Sequence, residues 1–223
     1  MKIEGIIFDM DGLLIDSEPL WQEAEINSFK KVGINLTVEQ TTKTTGLHVD
    51  EVVEYWYSLF PWNEKDLGKK EVSKNIVTMV KDLINSKGVE KAGVAKIISF
   101  LKSKNINNIA IASSSEYSII ETVINKFNIR DYFNVINSAQ DEEFGKPHPG
   151  VYISTYKKMG LKPEQCLSFE DSLNGVISSK AAKVKCVAVP EIININNNKF
   201  LISDLIIKSL NDFGENEWLK LNF

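Results

Sequence analysis

The chain has 223 residues, 26 Lys+Arg against 30 Asp+Glu for a net charge of −4, and 43% hydrophobic residues. That is enough apolar material for one large core or a core with a smaller insert, and it lacks the basic excess of a duplex-binding protein. No run approaches the roughly 18 apolar residues of a membrane span, and the N-terminal apolar run is too short for a signal peptide, so a cytoplasmic protein that binds neither nucleic acid nor membrane is expected.

The first predicted element is a strand over residues 3–8, with little alternation and adjacent isoleucines, as in a parallel strand buried on both faces. It runs into Asp9-Met10-Asp11-Gly12. Residues 17–86 then show helical periodicity and no convincing strand. This stretch opens on Asp16-Ser17-Glu18-Pro19, a helix-start signal with Pro where its missing N–H is harmless. Trp21, Trp56 and Trp62 fall in it with Tyr55, Tyr57 and Phe60, and are expected to form a small core of its own, with sugar stacking by one of them as the alternative.

Beyond it, helical patterns over 94–101, 119–127, 152–159 and 176–182 alternate with apolar runs at 109–112, 135–136, 166–169 and 185–189, with a sixth at 205–207. Alternation of this kind calls for right-handed crossovers and a doubly wound parallel sheet. The predicted architecture is α/β: a Rossmann-like core formed by residues 1–16 and 87–223, and an inserted all-helical cap over 17–86, with hinges near 14–17 and 86–92. Cys166 and Cys186 read as buried free thiols, and the asparagines at 194 and 196–198 as a surface loop.

The chemistry is carried by four strand ends. Asp9 and Asp11 would crowd two carboxylates at the sheet's carboxyl edge, where such folds bind ligands. At about 4 Å and an effective dielectric near 20 their repulsion is on the order of 4 kcal/mol. A hard cation such as Mg²⁺ relieves it, and Gly12 permits the tight turn that follows. Ser113-Ser114-Ser115 ends the second run with hydroxyls and N–H groups, either as a phosphate cradle or as a plain helix cap. Lys146, in Gly145-Lys146-Pro147, could neutralise a phosphate, and Glu170-Asp171-Ser172 supplies further acids at a strand end. No Gly-x-Gly-x-x-Gly follows the first strand, so the dinucleotide fingerprint is missing.

In this order, strand then Asp-x-Asp, strand then Ser, loop Lys, strand then Glu-Asp, the chain resembles the haloacid dehalogenase superfamily of phosphotransferases over residues 3–190. Residues 9–21 and Glu170-Asp171-Ser172-Leu173-Asn174-Gly175 look like its β-phosphoglucomutase-like subgroup. The insert segments Val52-Val53-Glu54-Tyr55-Trp56-Tyr57 and Pro61-Trp62-Asn63 are similar to bacterial 2-deoxyglucose-6-phosphate and hexitol phosphatases. The resemblance implies a monomer that hydrolyses small sugar or sugar-alcohol phosphates with Mg²⁺ through an aspartyl-phosphate. Asp9 would be nucleophile and Asp11 general acid and base. Ser113 and the Ser114 backbone would hold the phosphate, Lys146 would balance charge, and Glu18 would join the substrate contacts. The metal would be held by Asp9, the Asp11 carbonyl and Asp171, with Glu170 nearby. The rival expectation is a mutase of the same core, which typically carries a cap-hinge histidine where this chain has Trp21, and the alternative of another class is a catalytically silent phosphate-binding regulatory module. Dehalogenation is disfavoured because Asp11 is present. His48 stands where similar phosphatases often carry an arginine, and His148 reads as a loop residue.

Overall fold

The structure, a computed structural model, describes residues 2–191 and 194–222. Six strands, β1 (Gly5–Phe8), β2 (Asn108–Ser113), β3 (Val135–Ser138), β4 (Cys166–Glu170), β5 (Lys185–Ala188) and β6 (Leu205–Ile206), form one parallel sheet in the order β3-β2-β1-β4-β5-β6. Between β1 and β2 lie α1 (Glu18–Lys30), α2 (Val38–Thr41), α3 (Val49–Leu59), α4 (Lys69–Lys87) and α5 (Val94–Ser103). α6 (Tyr117–Lys126), α7 (Gly150–Lys158) and α8 (Leu173–Ala181) follow β2, β3 and β4, and α9 (Glu215–Leu221) comes last among the described residues. This is the doubly wound class that the alternating runs predict, with observed element ends a few residues from the expected ones.

The apolar runs become strands because both faces of the sheet are covered. Every residue of β1 and β4 is buried. Along β1, Ile6 and Phe8 join the cluster beneath α5, α6 and α9, whereas Ile7 joins Val151 and Tyr152 of α7 on the opposite face, the two-residue period of a pleated strand. Phe8 and Phe169 face each other in register on β1 and β4, their rings stacked at 5.1 Å, and Phe213 meets Phe169 edge-on at 4.9 Å. Such aromatic pairs contribute about 0.5–1.5 kcal/mol each beyond their burial. They also fix the two strand ends side by side, so that the residues after Phe8 and Phe169 emerge together. Strand order reverses between these two strands, the topological position at which open α/β sheets bind ligands.

The helical stretch is joined to the sheet through two segments that pair antiparallel. Asp16 N–H donates to Val89 O at 2.9 Å, Lys91 N–H to Leu14 O at 3.0 Å, and Ile15 bridges to Glu90. Within it, α4 packs on α1 and α3 and also against α6 beside the sheet. The expectation of a separate small aromatic core is therefore corrected in two ways. Its buried residues form one continuous apolar cluster with α5 and α6, because α4 offers apolar side chains to both sides. Trp56 and Trp62 do pack edge-on around Phe29, at 6.5 and 6.1 Å, while Trp21 packs against the same cluster and also lines a cavity between the insert and the sheet edge. Cys166 and Cys186 are buried free thiols, as read from sequence. Among the described residues no helix is long and apolar enough to cross a membrane.

Trp56 is 1% exposed and anchors the insert's packing. Its replacement by alanine is expected to destabilise the protein by about 3–5 kcal/mol, the usual penalty for deleting a buried indole. Urea denaturation followed by fluorescence and far-UV dichroism checks this, the expected outcome being a lower midpoint.

Candidate active site

Asp9 follows β1 directly, its N–H continuing the ladder to Phe169 O at 3.0 Å. Lys146, from the loop before α7, reaches in from β3's side of the sheet. Its ammonium donates to Asp9 Oδ1 at 2.6 Å, to Glu170 Oε1 at 2.6 Å and to Ala112 O at 3.0 Å. All three of its donor protons are thus used, and the lysine is only 5% exposed. Burial by itself would lower its pKa, but the charges of Asp9 and Glu170 overcome that and hold the ammonium above the ordinary lysine range. On the other side of the pair, burial pushes the Asp9 carboxyl up to about 8, with Lys146 opposing and Glu170 and Asp11 adding to the rise.

Glu170 ends β4 fully buried. Besides Lys146, Tyr152 donates its hydroxyl to Oε1, while Oε2 has no hydrogen-bond partner among the described residues. Asp171 follows, its carboxyl raised well above the usual range by burial and then by the charges of Asp9 and Glu170. Ligand atoms of Asp9, Glu170 and Asp171 lie within 4.8 Å of one another. Three carboxylates this close, one with an orphaned buried oxygen and opposed by a single ammonium, have the chemistry of a hard-cation site: oxygen donors and surplus negative charge. The residues fit a divalent cation.

Asp11 lies one turn further, after which Gly12 takes φ +73°, where an added Cβ would meet Asp171 Oδ2 at 2.0 Å. Four donors converge on the Asp11 carboxylate. Ser17 Oγ and Trp21 Nε1 reach Oδ1 at 2.7 and 3.0 Å, and Ser115 Oγ and Ser113 Oγ reach Oδ2 at 2.7 and 3.4 Å. Two of these come from the start of the insert and two from the end of β2, so one carboxylate ties both halves of the site together. Sequence reading missed Ser17, Trp21 and Ser115 in this role. Ser115 follows a serine already singled out, and Ser17 and Trp21 flank a helix start, where a cap or core role was the natural reading. Ser113, expected at the phosphate, is fully buried, accepts the Ser115 N–H at 3.0 Å and does not line the cavity. Ser114 does line it, and its hydroxyl is buried with no hydrogen-bond partner among the described residues. Glu18 also lines the cavity and accepts from Gln22 Nε2 at 3.3 Å. Burial, then the charges of Glu191 and Asp16, raise its carboxyl. His148 is the loop residue expected of it, its Nδ1 accepting the Gly150 N–H at 3.2 Å.

Glycine is needed at 175 for a steric reason: a Cβ there would lie 1.8 Å from Glu170 Oε2. Gly175→Ala is therefore expected to displace Glu170 and disturb the Lys146–Asp9 pair, weakening divalent-cation affinity at least about tenfold, as loss of an orienting partner does. Calorimetric titration with Mg²⁺ checks it.

The family model for haloacid dehalogenase-like hydrolase matches residues 6–189. Hexitol phosphatase B of Escherichia coli is 35% identical over 212 residues, covering 95% of this chain and 94% of that protein. Among solved structures, a CbbY variant from Rhodobacter sphaeroides in complex with xylulose-(1,5)bisphosphate aligns with a TM-score of 0.88 at 22% identity, covering 99% of this chain and all of that one. β-Phosphoglucomutase from Clostridium difficile aligns at 0.82 and 24%, covering 99% and 97%. Since the family model spans the strand ends that carry Asp9, Lys146 and Glu170, and a relative matches at this identity over nearly its whole length, the chain belongs to the haloacid dehalogenase-like hydrolase family.

Proposed function

We propose that this protein is a Mg²⁺-dependent phosphomonoester hydrolase for small sugar or sugar-alcohol phosphates, working through an aspartyl-phosphate on Asp9 beneath a cap formed by the helices of residues 17–86. The observation that carries the reading is the Lys146 ammonium bound at 2.6 Å to Asp9, with Asp11 two residues on and lining the same cavity. The similarity to hexitol phosphatase B supports the substrate class.

A carboxylate attacking a phosphate dianion must overcome like-charge repulsion, and Lys146 offsets it at the attacking group itself. The Asp9 carboxylate oxygen bonds to phosphorus as the bond to the sugar oxygen breaks, and Asp11 gives its proton to that oxygen. Asp11, now a carboxylate, takes a proton from water as the water attacks the aspartyl-phosphate, which returns Asp9 and frees phosphate. Ser17, Trp21, Ser113 and Ser115 orient Asp11 for both transfers, and the Ser114 hydroxyl is available to a phosphate oxygen. Asp9, Asp171, the Asp11 carbonyl and, directly or through water, Glu170 would hold Mg²⁺, which when bound neutralises phosphoryl charge.

The mutase reading rests on the likeness to β-phosphoglucomutase, which at 24% identity concerns the fold. An indole N–H has no basic lone pair, so Trp21 can orient Asp11 but cannot exchange a proton with a sugar hydroxyl as a histidine can. That favours hydrolysis. A silent phosphate-binding module has no support in a chain that keeps every acid, the serines and the lysine.

With Mg²⁺ and a panel of hexitol phosphates, fructose 1-phosphate and β-glucose 1-phosphate, the expected outcome is stoichiometric, Mg²⁺-dependent phosphate release. Conversion of β-glucose 1-phosphate to glucose 6-phosphate without release would establish the mutase instead. Asp9→Asn should remove turnover with the fold intact, and retained phosphate release by that variant would sink the mechanism. Asp11→Asn should still be phosphorylated on Asp9 by an activated ester but dephosphorylate about 10²–10⁴-fold more slowly, the range for loss of a general base, as read in single-turnover experiments.

A further inference from the structure

One buried ionisable group takes no part in the chemistry above. Glu25, on α1, is 6% exposed, and burial pushes its carboxyl up to about 8. Thr44 Oγ1 approaches its Oε2 at 3.3 Å, but the same hydroxyl lies 3.0 Å from Thr41 O, so a single proton is contested by two acceptors. No donor reaches Oε1 among the described residues. The carboxyl is thus held in the insert with hydrogen-bonding capacity left over, and it lines the same cavity as Asp9 and Asp11.

Its neighbours give the capacity a direction. Glu18, Trp21, Gln22 and Glu25 recur at i, i+3, i+4 and i+7, so one face of α1 looks into the cavity. Opposite are Thr44, Thr45 and His48. His48 Nδ1 accepts the Asp50 N–H at the start of α3, and its Nε2 is buried with no hydrogen-bond partner among the described residues. Lys146 is the only lysine or arginine among the described residues lining the cavity, and its protons are committed to Asp9, Glu170 and Ala112. Lys91, whose charge reaches Glu18, is paired with Asp16 at 3.6 Å and Glu191 at 3.4 Å outside it.

We propose, resting on the phosphatase reading, that the insert's half of the cavity selects an uncharged polyhydroxylated leaving group, with Glu25 hydrogen-bonding a substrate hydroxyl, and rejects substrates that bear a second phosphate or a carboxylate. A hydroxyl offers one proton and two lone pairs, and a protonated carboxyl offers the matching donor and acceptor. A second dianion would instead leave water with no lysine or arginine among the described lining residues free to pair with it, since the protons of Lys146 are committed. Desolvating a charged group without a partner is penalised far more than desolvating a hydroxyl, which gives discrimination of about a hundredfold or more.

The test measures kcat/KM for phosphate release by the full chain with Mg²⁺, using glucitol 6-phosphate and fructose 1-phosphate against fructose 1,6-bisphosphate and 6-phosphogluconate. The uncharged pair is expected to exceed the charged pair by about a hundredfold. Ratios within about threefold would overturn the selection while leaving the phosphatase reading standing, whereas no release from any monophosphate would remove that reading first. Glu25→Leu is expected to raise KM for glucitol 6-phosphate about tenfold with kcat within about twofold, the worth of one hydrogen bond, and Glu25→Gln to restore most of the affinity. Removing an under-bonded buried carboxyl should leave the melting temperature of Glu25→Leu no lower. An unchanged KM in Glu25→Leu would overturn the role of Glu25, and a rise in KM not rescued by Gln would assign the effect to packing instead.

Discussion

The Lys146 ammonium, enclosed between the carboxylates of Asp9 and Glu170, is the interaction on which the site depends. Taking these charges out of water is expensive, and only short, saturated hydrogen bonds offset the loss of hydration. The lysine therefore uses its third proton on Ala112 O, and Tyr152 adds a donor to Glu170. Removing one partner from such a buried pair typically costs about 3–5 kcal/mol, because the remaining charge is left uncompensated. Even so, three acids face one ammonium, and the raised carboxyls of Asp9 and Asp171 express that surplus. Buried charges left in such imbalance are a mark of a functional site, and the oxygen donors of these three acids suit a hard cation.

The sheet makes this arrangement possible at little conformational cost. Parallel strands in register end at one edge, so Phe8 opposite Phe169 brings Asp9 beside Glu170, and β2 between β1 and β3 delivers Ala112 O to the lysine. Gly12 and Gly175 are backbone solutions to crowding at the same edge, each standing where a Cβ would collide with a site carboxylate. Asp11 is then shared between the sheet edge and the insert, through Ser113 and Ser115 on one side and Ser17 and Trp21 on the other. How the insert is seated thereby affects the orientation of the residue assigned the proton transfers.

Much of this was legible from residue order. Runs such as 3–8 and 109–112 are apolar on both faces, which only a covered parallel sheet tolerates, and each ends in the acids or serines that then meet at one edge. The candidates Asp9, Lys146, Glu170 and Asp171 do converge, and Asp11 joins them at the cavity. The insert was read less well. Its helix α1 turns Glu18, Gln22 and Glu25 toward an interior cavity, where only Glu18 is expected from sequence among the substrate contacts. Trp21 does pack against the apolar cluster, as an aromatic residue read into a core should, but it also spends its N–H on the Asp11 carboxylate, a role that the sequence does not announce.

By itself, then, the sequence determined the fold class and the acids, lysine and serines at the strand ends, because hydrophobic period and turn chemistry are local and every parallel strand presents its end to the same edge. Tertiary structure alone decided which polar atoms satisfy one another: that Asp11 is held by four donors from two parts of the chain, that Ser114 and Glu170 each keep an oxygen with no partner among the described residues, and that Glu25 is buried facing the cavity. The reason is physical. Hydrogen-bond partnership and desolvation depend on distances of a few tenths of an ångström between groups far apart in the chain, 137 residues for Lys146 and Asp9 and 104 for Ser115 and Asp11, and no spacing along the chain encodes them.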